Sequence, residues 1–227
     1  MKIAIILSPG INRERELFFA IEKAISQPPT FIWHKEHEIG DVDCVVLPGG
    51  FSYGDYLRSG AIAAQSPIMR AVHKAAKDGR YVLGICNGFQ VLTETGLLPG
   101  ALLRNQKMKF TCKTQWVRVE PSPAQNLFLQ HYQPKEVLRF PIANNDGNYQ
   151  IDKQGLQALQ AEERIALRYC DEAGNIDANG NPNGSIDNIA GVFSANRRVL
   201  GMMPHPENAA LDWLDNQDGA RLFQAFG

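Results

Sequence analysis

The sequence predicts an α/β protein: an open, mostly parallel sheet with helices on both faces, followed by an irregular, β-rich second half. Two patterns predict it, short and almost continuously apolar runs and longer amphipathic runs placed between them. Apolar runs of that length suit strands buried on both faces, and strand–helix–strand alternation builds a parallel sheet. In such sheets ligands bind beyond the carboxyl ends of the strands, so the residues after each strand are where chemistry is expected.

Taken in order, Lys2–Leu7, Cys44–Leu47 and Tyr81–Gly84 read as buried strands. Between them, Glu14–Ile25 carries Leu17, Phe18, Ile21 and Ile25 at helical spacing, and Pro67–Lys77 carries Ile68, Val72 and Ala75 likewise. In the second half, Gln115–Val119, Val137–Phe140, Arg164–Tyr169, Ile189–Phe193 and Val199–Met203 read as strands, with a closing helix near Asn216–Phe226. Asp171–Asn188 is dense in Gly, Asn and Asp and reads as a loop. Asp177, Asn179 and Asn181 faintly resemble a calcium loop, but Pro182 stands where its glycine belongs and Asn188 where its bidentate glutamate belongs. A plain turn-rich connection is expected there. Asn183-Gly184-Ser185 is a formal glycosylation sequon, without consequence in a cytosol. With no internal repeat, low-complexity tract or linker, residues 1–227 read as a single domain.

Composition narrows the function classes. The 227 residues are 44% hydrophobic, 21% charged and 9% aromatic, which excludes collagen-like, disordered and disulfide-scaffold chains. Twenty-three Lys+Arg against 24 Asp+Glu leave a net charge of −1, so nucleic acid is not an expected partner. Ile3–Leu7 is far shorter than the ~20 apolar residues that cross a bilayer, and it lacks the length and cleavage site of a secretory signal. No membrane association is expected. The four cysteines form no C-x-x-C pair, which argues against a zinc knuckle or a redox dithiol. Scattered thiols suit a reducing, cytoplasmic setting, where each is by default a small buried hydrophobe.

Cys86 departs from that default. It sits in Gly84-Ile85-Cys86-Asn87-Gly88, between an apolar strand and a helical pattern. Glycines two residues to either side permit a sharp strand-to-helix turn that lifts the central side chain to its crest. The helix N-terminus there favours negative charge on sulfur, and the Asn87 N–H can point at an oxyanion. A thiol so placed needs a base. His34 and His37 fall in the charged stretch His34-Lys-Glu-His37-Glu and read as solvated; His73 lies in a helical pattern and His131 in a polar loop. His205 differs, because Met203-Pro204-His205-Pro206-Glu207 directly follows an apolar strand. Its prolines favour extended backbone, in which residues i and i+2 project to one side, so Glu207 can orient His205 as in a triad. A third segment, Pro48-Gly49-Gly50-Phe51-Ser52-Tyr53-Gly54, also follows a strand, and its consecutive glycines suit an oxyanion hole. It also fits G-x-S-x-G, so a serine hydrolase using Ser52 is an alternative, although Pro48-Gly49 separate the strand from the motif.

Together these residues resemble the class I glutamine amidotransferases, and within them the glutaminase subunits of phosphoribosylformylglycinamidine synthases. The resemblance runs over nearly the whole chain: Pro9–Glu16 is similar to the opening P-G-x-N-x-[DE]-R-[DE], and Pro48–Ala63, Gly84–Leu92, Asn181–Ser185 and Gly201–Glu207 are similar to further signature segments. The resemblance implies a class I amidotransferase-like, flavodoxin-like fold. It also implies that Cys86 attacks the side-chain amide of glutamine, that His205 shuttles the proton and that Glu207 holds His205. Gly50 and Asn87 would supply oxyanion N–H groups beside Gly49, and Gln90 would position the glutamine. Ammonia would pass to a large synthetase subunit in a complex that also has a small third subunit. No cofactor is implied in this chain; ATP and magnesium would belong to the synthetase, in keeping with the lack of a Walker A sequence here. The chain departs from the family at Arg13, usually Cys, and at Asn144-Asn145-Asp146, usually His-Gly-Glu. Asn208 stands where a basic residue often follows His-Pro-Glu. A catalytically silent amidotransferase-fold binding subunit is the remaining alternative.

Overall fold

The computed structural model describes residues 1–122 and 126–227. Nine strands form its central sheet: β1 (Ile3–Leu7), β2 (Thr30–Trp33), β3 (Cys44–Leu47), β4 (Tyr81–Ile85), β6 (Thr111–Val119), β7 (Val137–Asn144), β9 (Ile165–Tyr169), β10 (Ile189–Phe193) and β11 (Val199–Met202). They lie in the order β2-β1-β3-β4-β11-β10-β9-β6-β7. Pairings from β2 to β11 are parallel and those from β11 to β7 antiparallel, so β6 and β10 run opposite to the other seven. The mostly parallel α/β sheet read from the sequence is therefore present. A separate two-stranded ribbon joins β5 (Ala101–Leu103) to β8 (Asn148–Gln150).

Every residue of β3 and β11 is buried. Successive strand residues face opposite sides, so both faces of the sheet are covered there, as an unbroken apolar run requires. The helices are α1 (Glu14–Ile25), α2 (Ile68–Lys77), α3 (Asn87–Glu94), α4 (Lys153–Ala161) and α5 (Ala220–Gln224). α1 buries Leu17, Ala20 and Ile21, and it packs beside α5. α3 lies across β3, β4 and β11. Its Phe89 presses so closely on β11 that a Cβ on Gly201 would lie 2.1 Å from the ring. Phe89 then stacks on Tyr149, with centroids 5.7 Å apart.

Several elements differ from the sequence reading. β2, α4, β5 and β8 are additional, and β6 and β7 extend beyond the runs read for them. The closing helix is only Ala220–Gln224. The residues before it are held in a turn instead: Gly219 N–H bonds the Ala209 carbonyl at 2.7 Å, and a Cβ on Gly219 would meet the Pro206 carbonyl oxygen at 2.1 Å. Asp171–Asn188 contains no strand, as expected, and ends in a 3₁₀ turn, Ile186–Asn188. Asp177 in this loop accepts the N–H groups of Asn179 and Gly180, an ordinary Asx turn.

Candidate active site

The parallel register places the ends of β3, β4 and β11 level, with Leu47 opposite Gly84 and Met202 opposite Ile85. The segments that follow these strands carry Gly49-Gly50, Cys86 and His205, so they converge at one sheet edge.

Cys86 is the turn between β4 and α3. Its φ of 51° and ψ of −105° are rare for a residue with a Cβ, and such strain persists only where the surroundings impose it. The flanking glycines show what imposes it. A Cβ on Gly84 would lie 2.5 Å from Leu92 and 2.7 Å from the Gly88 carbonyl oxygen, and one on Gly88 would lie 2.0 Å from the Leu47 carbonyl oxygen. The helix start is thus pressed onto two strands at once. Backbone bonds from Cys86 N–H to Met202 O (2.8 Å) and from Gln90 N–H to Cys86 O (3.1 Å) fix the turn, and Cys86 Sγ rests 3.7 Å from the Ala143 carbonyl.

His205 is 3% exposed and Glu207 fully buried. His205 Nδ1 and Glu207 Oε1 lie 2.6 Å apart. Burial opposes a charged imidazole, but the Glu207 carboxylate and the nearby Cys86 sulfur outweigh it and push the His205 pKa up to about 10. Nε2 is buried without a hydrogen-bond partner among the described residues, which leaves it for a thiol or a substrate. The ring's approach depends on Gly49, where a Cβ would stand 2.8 Å from His205 Cε1. His205 N–H is tied to the Pro141 carbonyl at 2.9 Å, so the antiparallel half of the sheet also holds the base.

Gly50 forms an antiparallel bridge with Ile11. The bridge is closed by Asn12 N–H to Gly49 O (3.3 Å) and Phe51 N–H to Gly10 O (2.9 Å), a pairing in which Gly50's own N–H points away from Ile11. With φ at 147° and a would-be Cβ 2.7 Å from Ile11 Cα, only glycine fits. Asn87 secures this segment to α3: its Oδ1 accepts Ser52 N–H at 3.2 Å and its Nδ2 donates to Gln90 Oε1 at 2.8 Å. Gln90 Nε2 in turn donates to the Asp146 carbonyl at 2.8 Å. The Gln90 amide is thereby committed to protein partners, and it joins the oxyanion segment to the 144–147 loop.

Several contributors were not visible as site residues in the sequence. Asp55 lies 3.4 Å from Asn87 Nδ2, and its pKa is pushed up to about 6 by burial and by neighbouring Asp146. Asp146, at the position of the family's Glu, accepts Ser59 Oγ at 2.6 Å and faces Arg104. Asn183 and Ser185 of the formal sequon are buried and both donate to the Gly147 carbonyl, at 2.7 and 3.2 Å. They are braces for the 144–147 loop. The clue was the Asn-Pro-Asn-Gly-Ser string itself, whose polar atoms suit backbone bracing. His34 overturns its sequence reading, since it is 5% exposed and bonded to Tyr53 rather than solvated. Ser52 is buried, and its hydroxyl has no hydrogen-bond partner among the described residues. The segment also forms a 3₁₀ turn, Ser52–Asp55, rather than the strand-to-helix elbow of a serine hydrolase, which counts against that alternative. Among the described residues no cluster of three or more His, Cys, Asp or Glu side chains is placed to hold a metal, and no helix is long and apolar enough to cross a membrane.

A Cys at a strand-to-helix elbow, with a buried His–Glu pair near its sulfur, is the arrangement of a thiol nucleophile with a base and an orienting carboxylate. The chain belongs to the CobB/CobQ-like glutamine amidotransferase family, whose model matches residues 1–224. It is 52% identical over 226 residues to the phosphoribosylformylglycinamidine synthase subunit PurQ of Ruegeria pomeroyi, covering 99% of this chain and 96% of that protein. It is 48% identical over 225 residues to the protein of the same name from Koribacter versatilis, with the same coverage of each. Among solved structures, PurLQS from Thermotoga maritima superposes with a TM-score of 0.85 at 37% identity, covering 99% of this chain and 96% of that one. The glutaminase domain of CTPS from Trypanosoma brucei shares the fold, with a TM-score of 0.61 at 14% identity over 100% of this chain and 92% of that one.

Proposed function

We infer that this chain is the glutaminase subunit of a phosphoribosylformylglycinamidine synthase, acting in purine biosynthesis. The observation that carries the reading is full-length identity near 50% to subunits of that name, in a chain whose Cys86 elbow faces a buried His205–Glu207 pair. Residues 1–227 act as one amidotransferase domain in the cytoplasm, in complex with a small third subunit and a large synthetase subunit. The domain itself requires no cofactor, and ATP and magnesium are used by the synthetase.

In the proposed reaction Cys86 Sγ attacks the side-chain amide carbon of glutamine. His205 Nε2 carries the thiol proton to the departing nitrogen, which leaves as ammonia, and a γ-glutamyl thioester remains on sulfur. Gly50 and Asn87 N–H groups hold the oxyanion formed on attack. Water, deprotonated through His205, then attacks the thioester carbonyl; glutamate departs and the proton returns to sulfur. Glu207 keeps the imidazole oriented and supports its positive charge in both steps.

The test is paired. In the assembled synthetase, Cys86→Ala is expected to abolish glutamine-dependent product formation while supplied ammonia still supports it. Persistence of glutamine-dependent turnover in that variant would refute the assignment of Cys86.

A further inference from the structure

The segment from Pro48 to Tyr56 carries Gly50 yet lies outside the strands and helices of the sheet scaffold, so its position is set by tertiary bonds. One side is held by the loop after β1, through the Asn12–Gly49 and Phe51–Gly10 bonds and through Tyr53 N–H to Pro9 O at 2.7 Å. On the other side Asn87 holds Ser52 N–H and Asp55, at 3.2 and 3.4 Å, and the Tyr53 side chain makes a further contact. Tyr53 Oη lies 2.6 Å from His34 Nδ1, with the two rings edge to face at 5.4 Å.

His34 is well suited to anchor that contact. Its N–H bonds the Leu7 carbonyl at 2.8 Å, its carbonyl accepts Ile68 N–H at 3.3 Å, and its ring packs on Trp33 at 4.5 Å. Nε2 is buried without a partner among the described residues, so Tyr53 is the ring's one hydrogen bond there. Tyr53, by contrast, holds a left-handed backbone (φ 54°, ψ 28°), which a residue with a Cβ keeps only where neighbours enforce it.

We propose that His34 and Tyr53 form a latch that positions the oxyanion segment, pinning Tyr53 and through it Gly50 for glutamine hydrolysis. Both are positioning residues, and the proposal rests on the glutaminase reading of Cys86. Burial, reinforced by Lys35, lowers the His34 pKa, and burial raises that of Tyr53. The phenol therefore donates and the neutral imidazole accepts. A purely structural contact would alter stability and leave turnover alone; a latch on the oxyanion donor alters kcat.

The test uses the assembled synthetase complex carrying Tyr53→Phe, His34→Leu or His34→Asn. Tyr53→Phe removes one oxygen, and His34→Asn keeps an acceptor close to the place of Nδ1. Steady-state glutamine kinetics are measured beside the rate at which iodoacetamide alkylates Cys86, a substitution that needs the sulfur but no oxyanion hole. Tyr53→Phe and His34→Leu are each expected to lower kcat about tenfold, less than outright loss of an oxyanion donor, with KM and alkylation little changed. The double variant should be no worse than either single one, and His34→Asn should recover most of the loss. Wild-type kcat in Tyr53→Phe, or His34→Asn no better than His34→Leu, would overturn the latch. A wild-type complex that hydrolyses no glutamine would instead refute the glutaminase reading, and the latch with it.

Discussion

Two stretches of this chain share one pattern, a small nucleophile between glycines: Gly84-Ile85-Cys86-Asn87-Gly88 and Gly50-Phe51-Ser52-Tyr53-Gly54. Their geometries have little in common. The first joins β4 to α3 without an intervening residue other than Cys86, whose unusual dihedrals are imposed by close contact at Gly84 and Gly88. The second begins three residues after β3 and coils into a 3₁₀ turn, with Ser52 buried and its hydroxyl without a hydrogen-bond partner among the described residues. A nucleophile elbow is thus made by two abutting elements squeezing one residue, and glycines alone do not create it. The second stretch is tied to the first, since Asn87 Oδ1 accepts Ser52 N–H.

The contrast breaks most visibly at the nucleophiles. Cys86→Ala should cut glutamine-dependent turnover by at least about 10⁴-fold, while Ser52→Ala, which removes an unpaired buried hydroxyl, should leave it near wild type. Steady-state rates of the two variants in the complex decide this.

Glu207→Gln comes next, with an expected loss of about 10²–10⁴-fold in kcat. It carries a pH signature as well. The folded His205 pKa, about 10, exceeds the unfolded value near 6.5, so native chains bind the extra proton between them. The stabilisation is complete below about pH 6.5 and disappears as pH rises through 10. Urea midpoints of wild type and Glu207→Gln should therefore converge between pH 7 and 10.

The glycines sharpen the comparison further. Gly88→Ala sets a Cβ 2.0 Å from a backbone oxygen and should cost about 3 kcal/mol or more. Gly54→Ala meets only the Tyr56 ring, an exposed side chain, at 3.0 Å, and should cost about 1–2 kcal/mol for its left-handed backbone. Chemical denaturation of each variant measures both. The smallest effect is expected at Asp55. Its raised pKa means stability falls as pH rises from about 4 to 6, so Asp55→Asn should gain about 1 kcal/mol above pH 6 and nothing at pH 4.

Strands β1, β3, β4 and β11 were legible because they are buried on both faces and therefore read as apolar runs; α1 and β3 match their predicted limits, as does β10 in the antiparallel half. Cys86 was legible because it follows β4 directly, and His205 because it comes soon after β11; Glu207 meets His205 from a 3₁₀ turn, Pro206–Ala209, rather than from the extended backbone read from the prolines. The misses have physical causes. β2 is an edge strand with mostly exposed residues and has no apolar run to read. α4 buries only Leu159, although Asp152 capping Gly155 N–H marked its start. The first residues of β6 are mostly exposed and become strand only by pairing with β7. His34 looked solvated because its sequence neighbours are charged, whereas its burial comes from Leu7, Ile68 and Tyr53, all distant in sequence.

The most direct measurement is peptide mapping after exposure to an electrophilic glutamine analogue, with wild type, Cys86→Ala and Ser52→Ala each bound to the synthetase. One adduct is expected, on Cys86, blocked by glutamine, present in Ser52→Ala and absent from Cys86→Ala. An adduct on Ser52, or none on any residue with the partner confirmed bound, would contradict that expectation.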